Sequence, residues 1–557
     1  MVAFNLDTIR AADTSKGWLA IGFLGAIAIT TFFWRLYQAR SYMRQLQREG
    51  MPMPPHHWLL GHIPIAAKIF QALPPHAHLL LIADQVRRIY PHLDTAFYLD
   101  VWPFGPPTLM VISPELVSQF TQDNSLPKYK GVRKFLKPLT GKKDLVTMEG
   151  HDWRHWRRNF NPGFSATNVM DMVPTMVQEI RTYKDIIHQH AVAGDIFPLE
   201  LPTLAMSMDI IGRVVMDQKF NSQKSYNPLT SALIDQLAWC EAGLHSNPLQ
   251  YVNIARPIVQ QYNAWRMNSY VDSWLKRRYE TMHQRAKTKY IVDLIMSAYM
   301  KQNSPNGRST KMDAVFSEFM RAQVKLFLQA GHDTTAASIV FTLYLLSKHP
   351  ESLRRLRDEL DAIFGSDTTS ICDLLEEKPH LVNQCSFLLA AVKETLRIYP
   401  PTATARFGLP GFYLTDPSGG KKLPTENCLV VGNHFGIHHN PRFWPRVEEF
   451  VPERWLVDEG HPLYPVKNGW RPFERGPRNC LGQELAMMEI RLVVAIMVRE
   501  FDFQDAYAES DRKKGQKSEN LRVNGERAYQ IIRGGGHPSE NFPCRLYNLL
   551  KYKKSVI

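Results

Sequence analysis

The segment Phe473-Glu474-Arg475-Gly476-Pro477-Arg478-Asn479-Cys480-Leu481-Gly482 decides how the rest of the chain is read. It sets one cysteine between two glycines, just ahead of an apolar run over 482–500 that has helical spacing. A thiolate that binds a metal from a loop must stay deprotonated and shielded. Gly476 and Gly482 let the backbone turn tightly and bring amide groups near the sulfur. Phe473 can cover it against solvent, and Arg478 can pair with an anion. The helix that follows points its positive end at the sulfur. For Cys480 alone, a buried cysteine in a turn would be the better reading. The joint spacing F-x-x-G-x-R-x-C-x-G is different: it arises by chance on the order of once in several thousand chains of this length.

Three segments further up the chain extend the pattern. Ala330-Gly331-His332-Asp333-Thr334-Thr335 lies inside a helical run over 317–348. Ala330 and Thr334 are one turn apart and share a face. Gly331 costs ~1 kcal/mol in a helix interior, which predicts a close approach or a local bulge there. Glu394 and Arg397 are three apart on a helix over 383–398; alone, such a pair is a surface pair worth under ~1 kcal/mol. Trp153 and Arg157 are four apart, so an indole N–H and a guanidinium could share an anionic partner.

The cysteine segment resembles the haem-binding loop of the cytochrome P-450 haem-thiolate monooxygenases, and the other three segments match that family in its order. The resemblance covers roughly residues 50–555. It implies a mainly α fold with minor β, with haem between two long helices and Cys480 as the axial thiolate to iron. It assigns Phe473, Gly476, Arg478 and Gly482 to the haem loop, Ala330 and Gly331 to the helix facing the cofactor, and Asp333 and Thr334 to proton delivery toward bound oxygen. Trp153, Arg157 and Arg406 would hold propionates. Glu394 and Arg397, completed by Arg454 of Pro452-Glu453-Arg454-Trp455, would form a buried network that supports the loop.

Residues 17–34, GWLAIGFLGAIAITTFFW, carry no charge and span ~27 Å as a helix, which suits a bilayer. Arg35 follows at once, so a membrane anchor is preferred over a cleaved signal peptide. Arg35, Arg40, Arg44 and Arg48 place the body on the cytosolic side. The expected divisions are a lumenal terminus 1–16, an anchor 17–34, a basic and proline-rich linker 35–60, and a catalytic domain 61–557. The linker's three histidines, His56, His57 and His62, lack a spaced fourth metal ligand.

The body reads as helical over 166–195, 257–287 and 349–365 as well, with extended pieces near 95–112, 404–414 and 427–434. Six cysteines in 557 residues, none in a C-x-x-C pair, exclude a disulfide scaffold. No Walker, H-E-x-x-H or G-x-S-x-G motif is present, and Gly534 to Gly536 read as a turn. The chain thus carries no recognisable flavin or nicotinamide site, and the resemblance implies electrons from NADPH through a separate reductase on the same membrane. Lys+Arg exceed Asp+Glu by 67 − 53 = 14, which suits an acidic partner. Lys128, Lys130, Arg133, Lys134, Lys137, Lys142 and Lys143 are either its contact or a plain solvated face. The resemblance implies a small apolar substrate and dioxygen. It is nearest in character to endoplasmic-reticulum enzymes of fungal secondary metabolism, with a fatty-acid or sterol hydroxylase as the alternative and a haem isomerase or dehydratase below it.

Overall fold

The computed structural model describes residues 6–141, 143–241, 253–282, 289–303, 312–417 and 419–549; Lys142 of the basic run lies outside them. The central element is the helix Ala314–Lys348. Asp313 caps it by accepting the Phe316 amide at 2.9 Å. Its 35 residues rise ~52 Å. A helix this apolar on every side belongs in a core. Between Ala322 and Leu346 every residue is buried except Gln329, Ala330, Gly331 and Thr334. The accessible window is therefore confined to the segment that stood out in the sequence.

Glu200–Met216, Ser386–Ile398 and Gln483–Val498 pack against this helix and share one large apolar core with Ala166–Ala193. The helix runs through Gly331 without a bulge. An added Cβ there would sit 2.6 Å from Ile211 Cδ1. The close approach at Gly331 is therefore to the neighbouring helix, and this corrects its assignment as a cofactor-facing glycine.

A four-stranded sheet lies to one side. Ala96–Leu99 pairs antiparallel with Thr108–Val111, which runs parallel to Leu429–Gly432, which in turn pairs antiparallel with Thr404–Phe407. The last strand carries Arg406 inward in register with Val430. Near the carboxyl end, Gln530–Arg533 and Gly535–Pro538 form a hairpin. Of the glycine run read as a turn, only Gly534 turns the chain, with φ +87°; Gly535 and Gly536 lie in the second strand.

The amino-terminal helix runs unbroken from Leu6 to Arg48, so the basic half of the expected linker is helical. An 18-residue window within Trp18–Arg48 has a mean hydropathy of 1.7, and this apolar part is exposed. Its last turns dock on the body. Met43 and Leu46 are buried, and Phe32 packs on Trp102 with ring centroids 4.9 Å apart. Arg40 bonds Asp100 and the Trp102 carbonyl, and His56 meets the same Asp100 at 3.0 Å. The linker histidines thus hold structure, and the described residues contain no cluster able to bind a metal.

Candidate active site

The cysteine loop is strapped from behind. The Cys480 amide donates to Phe473 O at 2.8 Å and the Asn479 amide to Gly476 O at 3.1 Å. Gly476 has φ +85°, and a Cβ there would lie 2.3 Å from Thr121 O, so only glycine fits. Glu474 turns inward and accepts from Arg471 Nε at 2.8 Å and from the Arg475 amide at 2.9 Å; His434 Nε2 lies 3.2 Å away. Burial would raise its carboxyl, but the His434 bond and the Arg471 charge hold it down at about 2. Arg471 then reaches Thr121 Oγ1 at 2.8 Å and Ser118 Oγ at 3.2 Å.

Cys480 is exposed while the other five cysteines are buried. The surrounding protein pushes its thiol pKa up, and the Gly482 amide and the Arg157 guanidinium work against that. The sulfur therefore sits in an enclosed recess beside two groups that favour thiolate. A Cβ on Gly482 would meet nothing within 4 Å, so that side of the loop is open.

A set of cations surrounds the recess. Arg157 donates to Asn479 O at 2.9 Å and to Asn479 Oδ1 at 2.8 Å, which ties it to the loop. The Arg478 guanidinium lies 4.2 Å from the Trp153 ring centre, donates to Met148 O at 2.7 Å, and leaves Nη1 without a partner. Burial brings its pKa down to about 10. Arg406 is 0% exposed, and none of its three guanidinium nitrogens has a hydrogen-bond partner. Lys128, bridged to Arg406 through the backbone, is brought down to about 7 by burial and by the charges of Arg406 and Arg478. Lys128 thus belongs to this interior set rather than to a surface run. Trp153, Arg157, Arg406 and Arg478 come together as expected, and Lys128 is the member that the sequence reading placed elsewhere.

Glu394, Arg397 and Arg454 are all 0% exposed. Glu394 accepts from Arg397 Nε at 3.1 Å and Nη2 at 2.9 Å, from Arg454 Nε at 3.0 Å, from Trp455 Nε1 at 3.0 Å and from the Val451 amide at 3.1 Å. Arg397 also donates to the carbonyls of His438, Val447 and Glu449. The network joins the cysteine loop through the ring of His438, whose Nε2 accepts the Arg471 amide at 3.0 Å.

On the central helix, Thr334 Oγ1 donates to Ala330 O at 3.3 Å. Asp333 is buried, with Oδ1 3.1 Å from His537 Nε2. His332 bonds Leu328 O at 2.7 Å and lies off the accessible face. The hairpin residue Gly535 comes close: a Cβ there would be 3.4 Å from Thr334 Cγ2 and 3.5 Å from Asp333 Oδ2 and Pro401 O. From Pro401 the chain continues into the strand bearing Arg406, so one short segment links the Thr334 side to the cation set. His537 and Glu200 were missed in the sequence, where neither sits in a spaced motif.

The cytochrome P450 family model matches residues 51–531. The chain is 78% identical over 546 residues to cytochrome P450 monooxygenase polC of Polytolypa hystricis, covering 98% of each chain. It is 30% identical over 508 residues to cytochrome P450 monooxygenase acrF of Aspergillus aculeatus, covering 87% of this chain and 99% of that one. Among solved structures, the cytochrome P450DA haem domain superposes with a TM-score of 0.67 at 19% identity, covering 89% of this chain and 97% of that one. The chain therefore belongs to the cytochrome P450 family, whose members carry haem bound through a thiolate.

Proposed function

We propose that Cys480 is the thiolate ligand of the haem, that Trp153, Arg157, Arg406 and Arg478 hold its propionates, and that the enzyme oxidises an apolar small molecule in fungal secondary metabolism. Family membership makes the chain an oxidoreductase of the monooxygenase class. Arg406 carries the proposal. A guanidinium buried without a partner costs several kcal/mol, so the fold calls for an anion at that point. Haem brings two carboxylates, and the residues present fit it: Arg406 without a hydrogen bond and Arg478 with Nη1 unpaired, in a shielded recess beside one accessible thiol. Bound through a thiolate, haem supplies dioxygen activation for C–H oxidation.

The chain's own residues do the rest. Arg157 and the Gly482 amide favour the ionised sulfur. Ala330 and Thr334 keep one stretch of the central helix low and open, which leaves room for dioxygen and a substrate. Asp333 and the Thr334 hydroxyl hold and pass protons. Electrons would come from NADPH through a partner reductase, since no flavin or nicotinamide motif is found in the chain. The amino-terminal helix would anchor the enzyme in the endoplasmic reticulum membrane, with the body cytosolic. The divisions 1–16, 17–34, 35–60 and 61–557 describe that arrangement, with the helical part of 35–48 docked on the body.

The test is the absorption spectrum of the full-length protein, reduced and exposed to carbon monoxide. A thiolate-type band is expected, and Cys480→Ser should lose it together with turnover. A Cys480→Ser protein that kept the wild-type band would overturn the assignment.

A further inference from the structure

Beside Thr334 lies a buried triad that the family match does not assign. His537, on the strand Gly535–Pro538, is 1% exposed and Glu200 is 0% exposed. The imidazole Nδ1 lies 2.7 Å from Glu200 Oε1, and Nε2 lies 3.1 Å from Asp333 Oδ1. Two carboxylates against one ring are tolerated in a dry site only if the ring carries both protons. In keeping with this, the two carboxylates outweigh burial and push the His537 pKa up to about 10, while Asp333 is held below its ordinary value by His537 against burial. The other groups that face the triad are weak competitors. His78 and His332 are held toward the neutral form by burial and by the His537 charge. Tyr507 is kept protonated by burial. Arg533 stands 3.5 Å from Glu200 Oε2.

We propose that His537, oriented by Glu200, is the positioning residue for Asp333: it anchors Oδ1 as an ion pair and leaves Oδ2 free to handle protons beside Thr334. The geometry separates the two oxygens. His537 Nε2 stands 3.1 Å from Oδ1, so the contact restrains that oxygen. Oδ2 has no side-chain partner and lies next to Gly535, whose backbone also favours the ionised carboxylate. Without the imidazolium, desolvation would be left to push the Asp333 pKa up, and the carboxylate could turn away. This inference rests on the proposed proton-handling role of Asp333 and Thr334.

The experiment uses full-length, haem-loaded enzyme with a reductase, NADPH and dioxygen, with no organic substrate added. Peroxide formed per NADPH is read from about pH 6 to about pH 10, alongside thermal unfolding of the same samples. His537→Gln should keep the carbon monoxide spectrum and raise the peroxide share several-fold. It should add nothing in an Asp333→Asn background. Stability supplied by a raised histidine is complete below about pH 6.5 and is lost as pH climbs through about 10. The wild type should show that alkaline loss and His537→Gln should not. Glu200→Gln keeps an acceptor for Nδ1 but removes the charge, so it should move the loss to lower pH; it serves if His537→Gln fails to load haem. A loaded His537→Gln with the wild-type peroxide share, effects that add to Asp333→Asn, or a Glu200→Gln with an unmoved alkaline limb would each overturn the proposal. An Asp333→Asn enzyme with an unchanged peroxide share overturns the underlying Asp333 reading instead, and is recognised because the alkaline loss of stability in the wild type would still be present.

Discussion

Two groups of buried arginines flank the cysteine loop, and they differ in what they lack. Arg397 and Arg454 share one carboxylate, Glu394, and Arg397 spends its remaining protons on backbone carbonyls. Arg406 is as deeply buried but has no partner at all. The first group is satisfied by the polypeptide except at Arg454 Nη1; the second has no hydrogen bond from the polypeptide to any guanidinium nitrogen, as the proposed ligand-binding role requires. Buried charge by itself therefore does not separate scaffold from binding site, and neither does one unpaired nitrogen, since Arg454 Nη1 also lacks a partner. A guanidinium with no hydrogen bond at all does.

Single substitutions at the two groups should act with opposite sign on the unloaded protein. Glu394→Ala strands two guanidinium groups in the core and should cost about 3–5 kcal/mol, seen as little soluble, haem-containing protein. A fully loaded, stable Glu394→Ala protein would break the comparison. Glu489 extends it to carboxylates. Among the described residues its side-chain partner is Ser207 Oγ at 2.5 Å, and burial pushes its pKa up to about 8. The folded value lies above the unfolded one, so its contribution is intact below about pH 4.5 and is lost as pH rises through about 8. Thermal unfolding of Glu489→Gln across that range should show a flatter alkaline decline than wild type. Arg406→Leu should leave the apoprotein at least as stable as wild type, while haem transfer to an acceptor protein speeds up about tenfold, or ~1.4 kcal/mol. A destabilised Arg406→Leu apoprotein would show that Arg406 belongs with the scaffold. Trp153→Leu removes the ring face under Arg478 together with the indole N–H, and should weaken haem retention by about 1 kcal/mol in the same assay.

What could be read from the sequence was what lies close together along the chain. The cysteine loop, the Ala330–Thr334 turn and the Glu394–Arg397 pair each fit within a few residues, so spacing displayed the motifs and the family resemblance supplied their roles. Long helices were legible for the same reason: 317–348 was read where Ala314–Lys348 forms, and 166–195 where Ala166–Ala193 forms. Contacts made across hundreds of residues left no such mark. His537 meets Glu200 from 337 positions away, out of a Gly-Gly-Gly-His-Pro stretch with no periodicity. Lys128 looked like one more residue in a basic run until the sheet brought Arg406 beside it. Gly331 had a correct motif and an incorrect reason, because the neighbour that demands it, Ile211, belongs to a different helix.

The helix from Leu6 to Arg48 does not end where its apolar part ends; it continues and is riveted to the sheet through Arg40, Met43 and Leu46. A mast fixed at its base transmits orientation, whereas a loose tether transmits only proximity. Were the apolar half set in a bilayer, as proposed, the body would ride at a set height and tilt rather than swing freely.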